Sequence, residues 1–453
     1  MSYCQAAYTY ISTTMPSGNI EEEPWIQTLA NTWNYVDSNG TWHSSTLVQN
    51  DYTYDNNGQR LTNKITAADG SSRTETYGYD NINRLTSVNY GDGETQGYTF
   101  DAMGNRLQKT DSATGNEGYT YNAANMLLTR GTGSYTNDLN GNTLTAAAPS
   151  GTRTCVWDSE NRMVSCVYNG NNCAYTYGAD GIRRRGVVNG VTTDYVLDNS
   201  MFVQELRAGS PIATSLMGPR GPEYRRDDVA GTVRWYLYDG LGSVLGEVDP
   251  SGNLTCSRKY DVYGAVRSFT GTQTSKHRFV GALGHPSEDE TGLIYMQARY
   301  MDPATGRFVS EDPGRNGENW FTYCDANPVG SVDRDGRDSN PLQWLFELLG
   351  TTLVAKFLID KPLTLGLRNL TSWLGWMSRW LIDGGREQMG QGAVEIEIGN
   401  EQDFTPSGFS IAGLSLGSGA MDSTFGASRL ALGIILQYVV EYMEYMLDMN
   451  PDQ

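Results

Sequence analysis

The chain has 453 residues, enough for two or three ordinary domains or for a repeat array with a further domain. It carries 52 Gly, 28 Tyr and a formal net charge of -19 at pH 7, a balance that disfavours gripping a phosphate backbone over a broad surface. Six Cys form no CxxC pair and three His, at 43, 277 and 285, lack zinc-ligand spacing, so a Cys/His metal site is disfavoured and no cofactor is expected.

The first residues, MSYCQAAYTYISTTMP, have neither a basic start nor an apolar run, so no signal peptide is expected and export would take another route. Residues 1–50 read as an N-terminal capping segment of short strands, with Trp25, Trp33 and Trp42 separated by polar turn material. From Tyr52 a unit recurs: an aromatic, Asp or Asn, a Gly- or Asn-bearing turn, then Arg and an aliphatic. It reads YDNNGQRL at 54–61, YDNINRLT at 79–86, FDAMGNRL at 100–107, YNAANMLL at 121–128, NDLNGNTL at 137–144, WDSENRMV at 157–164 and YGADGIRR at 177–184. A period of about twenty residues is the mark of a solenoid or wound sheet.

Alternating aromatics such as Tyr119 and Tyr121 point to one strand face, and Asp/Asn with Gly supplies a hairpin turn. The Arg-aliphatic pair then begins the return strand. The tyrosines are read as sheet packing rather than a ligand-stacking surface. The basic spots Arg183–Arg185 and Lys276–Arg278 are read as turn and rim residues, and His277 and His285 as surface or loop residues. Cys166 and Cys173 could pair if their strands are adjacent. A Pro- and Gly-rich stretch at 207–231 predicts a loop, after which the array resumes.

That second part runs YLYDGLGSV at 236–244, YDVYGAV at 260–266, FVGALGHPSEDETGLIYMQARYMDPATGRFVSEDP at 279–313 and YCDANPVGSVDRDG at 323–336. This ordered series resembles the repeat-associated core of the Rhs/YD-repeat family; the resemblance covers roughly 50–337 and is densest over 236–336. It implies a mostly β fold: an antiparallel YD-repeat sheet wound into a shell or partial shell, an inward-turning core, and a small, mainly α-helical C-terminal domain. The implied domains are 1–50, a capping segment; 51–235, the YD-repeat shell; 236–337, the core; and 338–453, a variable tail.

In many toxin members of that family the core is an aspartyl autoprotease that releases the tail. One family catalytic Asp stands in a DP pair after a GRF segment, here Asp312 in GRFVSEDP. The second is the first Asp of a P-x4-D-P-x-G-L motif, here Asp333 in PVGSVDRDGR, and Arg307 matches an Arg that supports the site. Cleavage would then fall between Arg337 and Asp338. Two residues depart from the motif: Arg334 replaces its Pro and Arg337 its Leu, which puts the presentation of the scissile bond in question. Two carboxylates held close cannot both ionise cheaply, so one keeps its proton and can act as acid while the other acts as base. Asp-Pro and Asp-x-Gly are also common turn formers, and Asp335 is read as one.

Beyond residue 338, helices are predicted at about 341–359, 364–382 and 428–448, with a strand at 393–399 and a Gly/Ser-rich stretch at 407–427. No run reaches eighteen uncharged apolar residues. Amphipathic helices that enter a membrane after release and a small helical domain both remain open. The tail has no His and no Cys, which excludes His-dependent nucleases, HExxH metalloproteases and Cys-His hydrolases, and its acidic excess disfavours nucleic acid. Glu395 and Glu397 are read as a solvated strand face. The expected partners are the tail itself as enclosed cargo, a second shell subunit, delivery machinery or an immunity protein. The expected location is cytoplasmic before signal-peptide-independent export. The alternative is a non-enzymatic YD-repeat scaffold or adhesion protein with an inactive core.

Overall fold

The structure, a computed structural model, describes residues 3–341 apart from 15–19, 37, 38, 40, 219, 220, 273 and 338. The helices and strand expected in the tail, the Glu395/Glu397 pair and Asp338 lie outside the described residues.

Twenty-four strands, from Tyr3–Thr14 to Val266–Gly271, form one sheet in which each strand pairs antiparallel with the next in sequence. The first and last strands do not pair with each other, so the sheet is wound but open. The repeat motif explains the meander turn by turn. In the 80–84 turn the Asp80 carboxylate accepts the amides of Ile82 at 3.1 Å and Arg84 at 3.0 Å. The same bonds recur at Asp55, Asn122, Asp138 and Asp158. Each turn needs one left-handed residue, filled by Asn83 (φ 65°) or Gly104 (φ 77°), the two residue types that tolerate that region best.

Tyr52, Tyr77, Tyr98, Tyr119, Tyr135 and Tyr175 are buried on one face. Beneath them lie arginines of the repeat: the Arg106 guanidinium sits 4.7 Å from the Tyr98 ring centre and 4.3 Å from that of Tyr263. Winding is fixed by bonds between distant parts of the array. Asn31 donates to the Tyr238 carbonyl at 2.8 Å and accepts its amide at 3.0 Å. Gly240 N–H reaches the Tyr52 hydroxyl at 2.7 Å, and Val262 N–H the Tyr90 hydroxyl at 3.1 Å. The late YD turns thus pack over the early strands.

The chain from Ser275 to Asp333 turns onto the inner face as a small four-stranded sheet, Ser287–Glu288, Leu293–Met296, Arg299–Asp302 and Arg307–Phe308, with loops. Among the described residues the helical turns are two short ones, Gly281–Leu283 and Cys324–Ala326. Buried ion pairs anchor this core to the wall: Arg153 with Asp302, and Arg183 with Glu288 at 2.6 Å, where Tyr175 also donates to Glu288 at 2.8 Å. Such pairs repay their desolvation only while both partners remain.

Four expectations need correction. The 207–231 stretch is not a loop but contributes strands Ser210–Gly218 and Gly221–Asp227. Its two described prolines are accommodated because Pro211 and Pro222 stand at register shifts, where no regular ladder bond is required. The N-terminal strands are long, 12, 17 and 13 residues, because they pair with one another along their whole length. Arg183 is not a rim residue but fully buried, held by Glu288 and four aromatic rings. His277 and His285 lie in core loops but are buried, since those loops fold onto the wall's inner face.

Candidate active site

Strand Arg299–Asp302 begins with an arginine that the core places between two carboxylates. Arg299 Nη2 lies 3.3 Å from Asp333 Oδ2 and 4.0 Å from Asp312 Oδ1. All three side chains are buried, at 4%, 1% and 3% exposure respectively. The guanidinium stacks 3.6 Å from the centre of Phe308, gives Nη1–H to the Trp320 carbonyl at 2.9 Å and gives Nε–H to the Gly336 carbonyl. It is fixed on every side.

Each carboxylate is also set by its own loop. Asp312 accepts the amides of Gly314 at 2.9 Å on one oxygen and of Asn316 at 3.0 Å on the other. Asp333 Oδ1 accepts the amides of Gly336 at 2.7 Å, Arg337 at 3.2 Å and Asp335 at 3.3 Å, leaving Oδ2 to face Arg299. Burial pushes the Asp333 carboxyl up to about 7, against the opposing pull of Arg299. Burial likewise pulls Arg299 below the usual guanidinium range. Asp333 is therefore able to exchange a proton near neutrality.

Arg307 is placed elsewhere. Its Nη1–H reaches Asn105 Oδ1 at 2.9 Å and its Nη2–H the Asn125 carbonyl at 2.7 Å, with Tyr121 stacked 4.7 Å away. It ties the core to the YD turns, because its side chain leaves the short Arg307–Phe308 strand on the wall side. The position beside the two aspartates belongs to Arg299, which sequence reasoning missed. An arginine inside the buried LIYMQARYMD run was the available signal, since a charge there must have partners.

The chain after Asp333 reverses. Strand Ser331–Asp333 pairs with Ser339–Pro341, with Asp333 opposite Ser339, and residues 334–337 are the described part of the connection. Arg337 belongs to that connection. Gly336 is the tight point: it has φ 78°, and a Cβ there would stand 2.1 Å from the Met296 carbonyl oxygen. Arg337 is exposed and Arg334 partly buried. Asp335 acts in the turn, accepting the Arg337 amide at 3.1 Å. Between the two aspartates, Cys324, Asp325 and Ala326 are three successive left-handed residues, each costing on the order of 1–3 kcal/mol that the surrounding packing must hold. Among the described residues no group of three or more His, Cys, Asp or Glu is arranged for a metal ion.

Comparison with known proteins gives a family model described as Teneurin YD-shell over residues 27–197. The tRNA3(Ser)-specific nuclease WapA of Bacillus spizizenii is 29% identical over 272 residues, 57% of this chain and 12% of that protein. Double-stranded DNA deaminase toxin A of Burkholderia cenocepacia is 27% identical over 282 residues, 60% of this chain and 16% of its own. Toxin subunit YenC2 of Yersinia entomophaga is 36% identical over 121 residues, 25% of this chain and 12% of its own. The solved structure TcdB2-TccC3-TEV matches 73% of this chain and 21% of that chain, at 15% identity and a TM-score of 0.46. The chain thus spans a small part of the length of these proteins.

Proposed function

This chain belongs to the Rhs/YD-repeat family, and on that premise we propose that its 236–337 core is an aspartyl autoprotease that cuts between Arg337 and Asp338. The observation that carries this reading is the single guanidinium shared by Asp312 and Asp333, with the Arg337 amide 3.2 Å from Asp333 Oδ1. Asp312 takes a proton from water, whose oxygen adds to the Arg337 carbonyl carbon. Protonated Asp333 supplies the proton that the leaving Asp338 nitrogen needs as the C–N bond breaks. Arg299 stabilises the negative charge carried through the step.

The cut would release residues 338–453 as an effector enclosed or presented by the 51–235 shell, with 1–50 as its capping segment. The toxin names of two relatives, one of them a toxin subunit, support an exported effector, for which a second shell subunit, delivery machinery or an immunity protein is the proposed partner. The tail's proposed action is on membranes, from its Trp-rich apolar stretches.

The second reading, a scaffold with a silent core, is favoured by one observation: Arg337 is exposed where the family motif has an apolar anchor. Intact mass of freshly purified protein, beside Asp312→Asn and Asp333→Asn, decides between them. A break after Arg337 that vanishes in both variants is expected; one unbroken chain in all three overturns the protease.

A further inference from the structure

The peptide leading to the proposed bond is held on both sides, group by group. Its amides, at Asp335, Gly336 and Arg337, all point to Asp333 Oδ1. Its carbonyls point the other way, towards residues 285–299. The Asp335 carbonyl accepts Ala298 N–H at 3.0 Å, and the Gly336 carbonyl accepts Arg299 Nε–H. The Arg334 carbonyl is met by two side chains, His285 Nε2 at 3.0 Å and Gln297 Nε2 at 3.4 Å. Three consecutive carbonyls are thus engaged by the turn between strands Leu293–Met296 and Arg299–Asp302 together with one histidine.

We infer that His285, assisted by Gln297, is a positioning residue for cleavage, fixing the Arg334 carbonyl so that the bond after Arg337 is presented to Asp312 and Asp333. A carbonyl oxygen only accepts, so Nε2 carries the hydrogen. Burial keeps the ring neutral, and its Nδ1 has no hydrogen-bond partner, so its one polar contact is this bond. A fully buried imidazole with half its polar capacity unused is costly unless the remaining contact matters. The need is local. Arg334 stands where the family motif has Pro, so the backbone rigidity that a ring would supply must come from outside the segment. Placement matters because a shift of about 1 Å in a reacting group can cost on the order of a hundredfold in rate.

The inference rests on the protease reading, and the experiment separates the two. In the full chain, His285→Leu removes the donor and His285→Gln keeps a neutral N–H of similar reach. Cleavage followed by gel and intact mass is expected to slow at least tenfold, or to scatter over neighbouring bonds, in the Leu variant, with rate and site largely restored by Gln. In parallel, the Asp312→Asn chain, kept whole, is treated with trypsin, which cuts after arginine. Adding His285→Leu is expected to speed nicking after Arg334 and Arg337 at least tenfold with an unchanged thermal melt.

If the wild-type chain never cuts itself, the protease reading fails alone and the trypsin arm still judges the clamp. If His285→Leu does not fold, Gln297→Met, which removes the longer bond, is expected to act in the same direction by a few-fold. A folded Leu variant that cleaves and resists trypsin as its parent does overturns the inference; so does an unchanged Gln297→Met variant where the Leu variant cannot be read.

Discussion

Asp312, from a loop of the core, and Asp333, at the end of strand Ser331–Asp333, meet at one nitrogen, Arg299 Nη2, at 4.0 Å and 3.3 Å. No other arginine among the described residues makes an ion pair with either of them. This contact turns two turn-forming aspartates into a pair that shares charge in a buried place.

Arg299 and Arg307 should therefore behave differently. Arg299→Met is expected to reduce cleavage by about a hundredfold or more, since the charge formed during bond breaking loses its donor. Arg307→Met leaves the Asn125 carbonyl without its arginine donor and removes one of the two donors to Asn105 Oδ1, and is expected to cost about 1–3 kcal/mol of stability, with cleavage of the surviving folded protein within a few-fold of wild type. Time courses on gels and urea melts read both. Equal loss of cleavage from the two variants would count against the assignment.

The raised Asp333 carboxyl makes a pH prediction with a definite sign. Below about 3.8 both folded and unfolded chains hold this proton, and its contribution is complete. Between about 3.8 and about 7 the unfolded chain has released it while the folded one keeps it, so the contribution is lost as pH rises through that window. The full effect is on the order of 4 kcal/mol at most. His277 and His285, both held down to about 4 by burial, act oppositely: their contribution falls as pH drops from about 6.5 towards 4. Urea melts of uncut Asp312→Asn against Asp312→Asn/Asp333→Asn isolate the carboxyl. The single variant is expected to lose stability relative to the double one between pH 4 and pH 8, and parallel curves would refute the assignment.

The cysteines of the wall give a third prediction. Cys155 faces Cys166 and Cys166 faces Cys173 across adjacent strands, and the first two sulfurs lie 3.7 Å apart, reduced and buried. Diamide, accepting the two thiol hydrogens, is expected to close the Cys155–Cys166 disulfide, with Cys173 remaining free. Peptide mapping checks this. The cross-link should raise stability by about 2–4 kcal/mol by restricting the unfolded chain. Pairing of Cys166 with Cys173 instead would show that the short Cys155–Cys166 sulfur distance does not decide the product.

The array was legible in the sequence because its turns are local. Asp80 bonds residues two and four positions ahead, so the D-x-x-N/G pattern alone specifies hairpin after hairpin, and alternation puts Tyr98 and Tyr119 on the buried face. Asp312 and Asp333 were legible only through the resemblance of whole motifs, since each also serves its own turn. The strands at 210–227 were missed because Pro and Gly read as breakers unless a register shift is known to absorb them.

What only the tertiary structure decided is which charges meet. Arg299 and Arg307 lie in neighbouring strands of one small sheet, yet one faces the aspartates and the other faces Asn105 on the wall. His285 meets Arg334 only because two loops fold onto each other. Local backbone chemistry writes its pattern into nearby residues, whereas a buried charge takes its partner from wherever the winding of the sheet brings one.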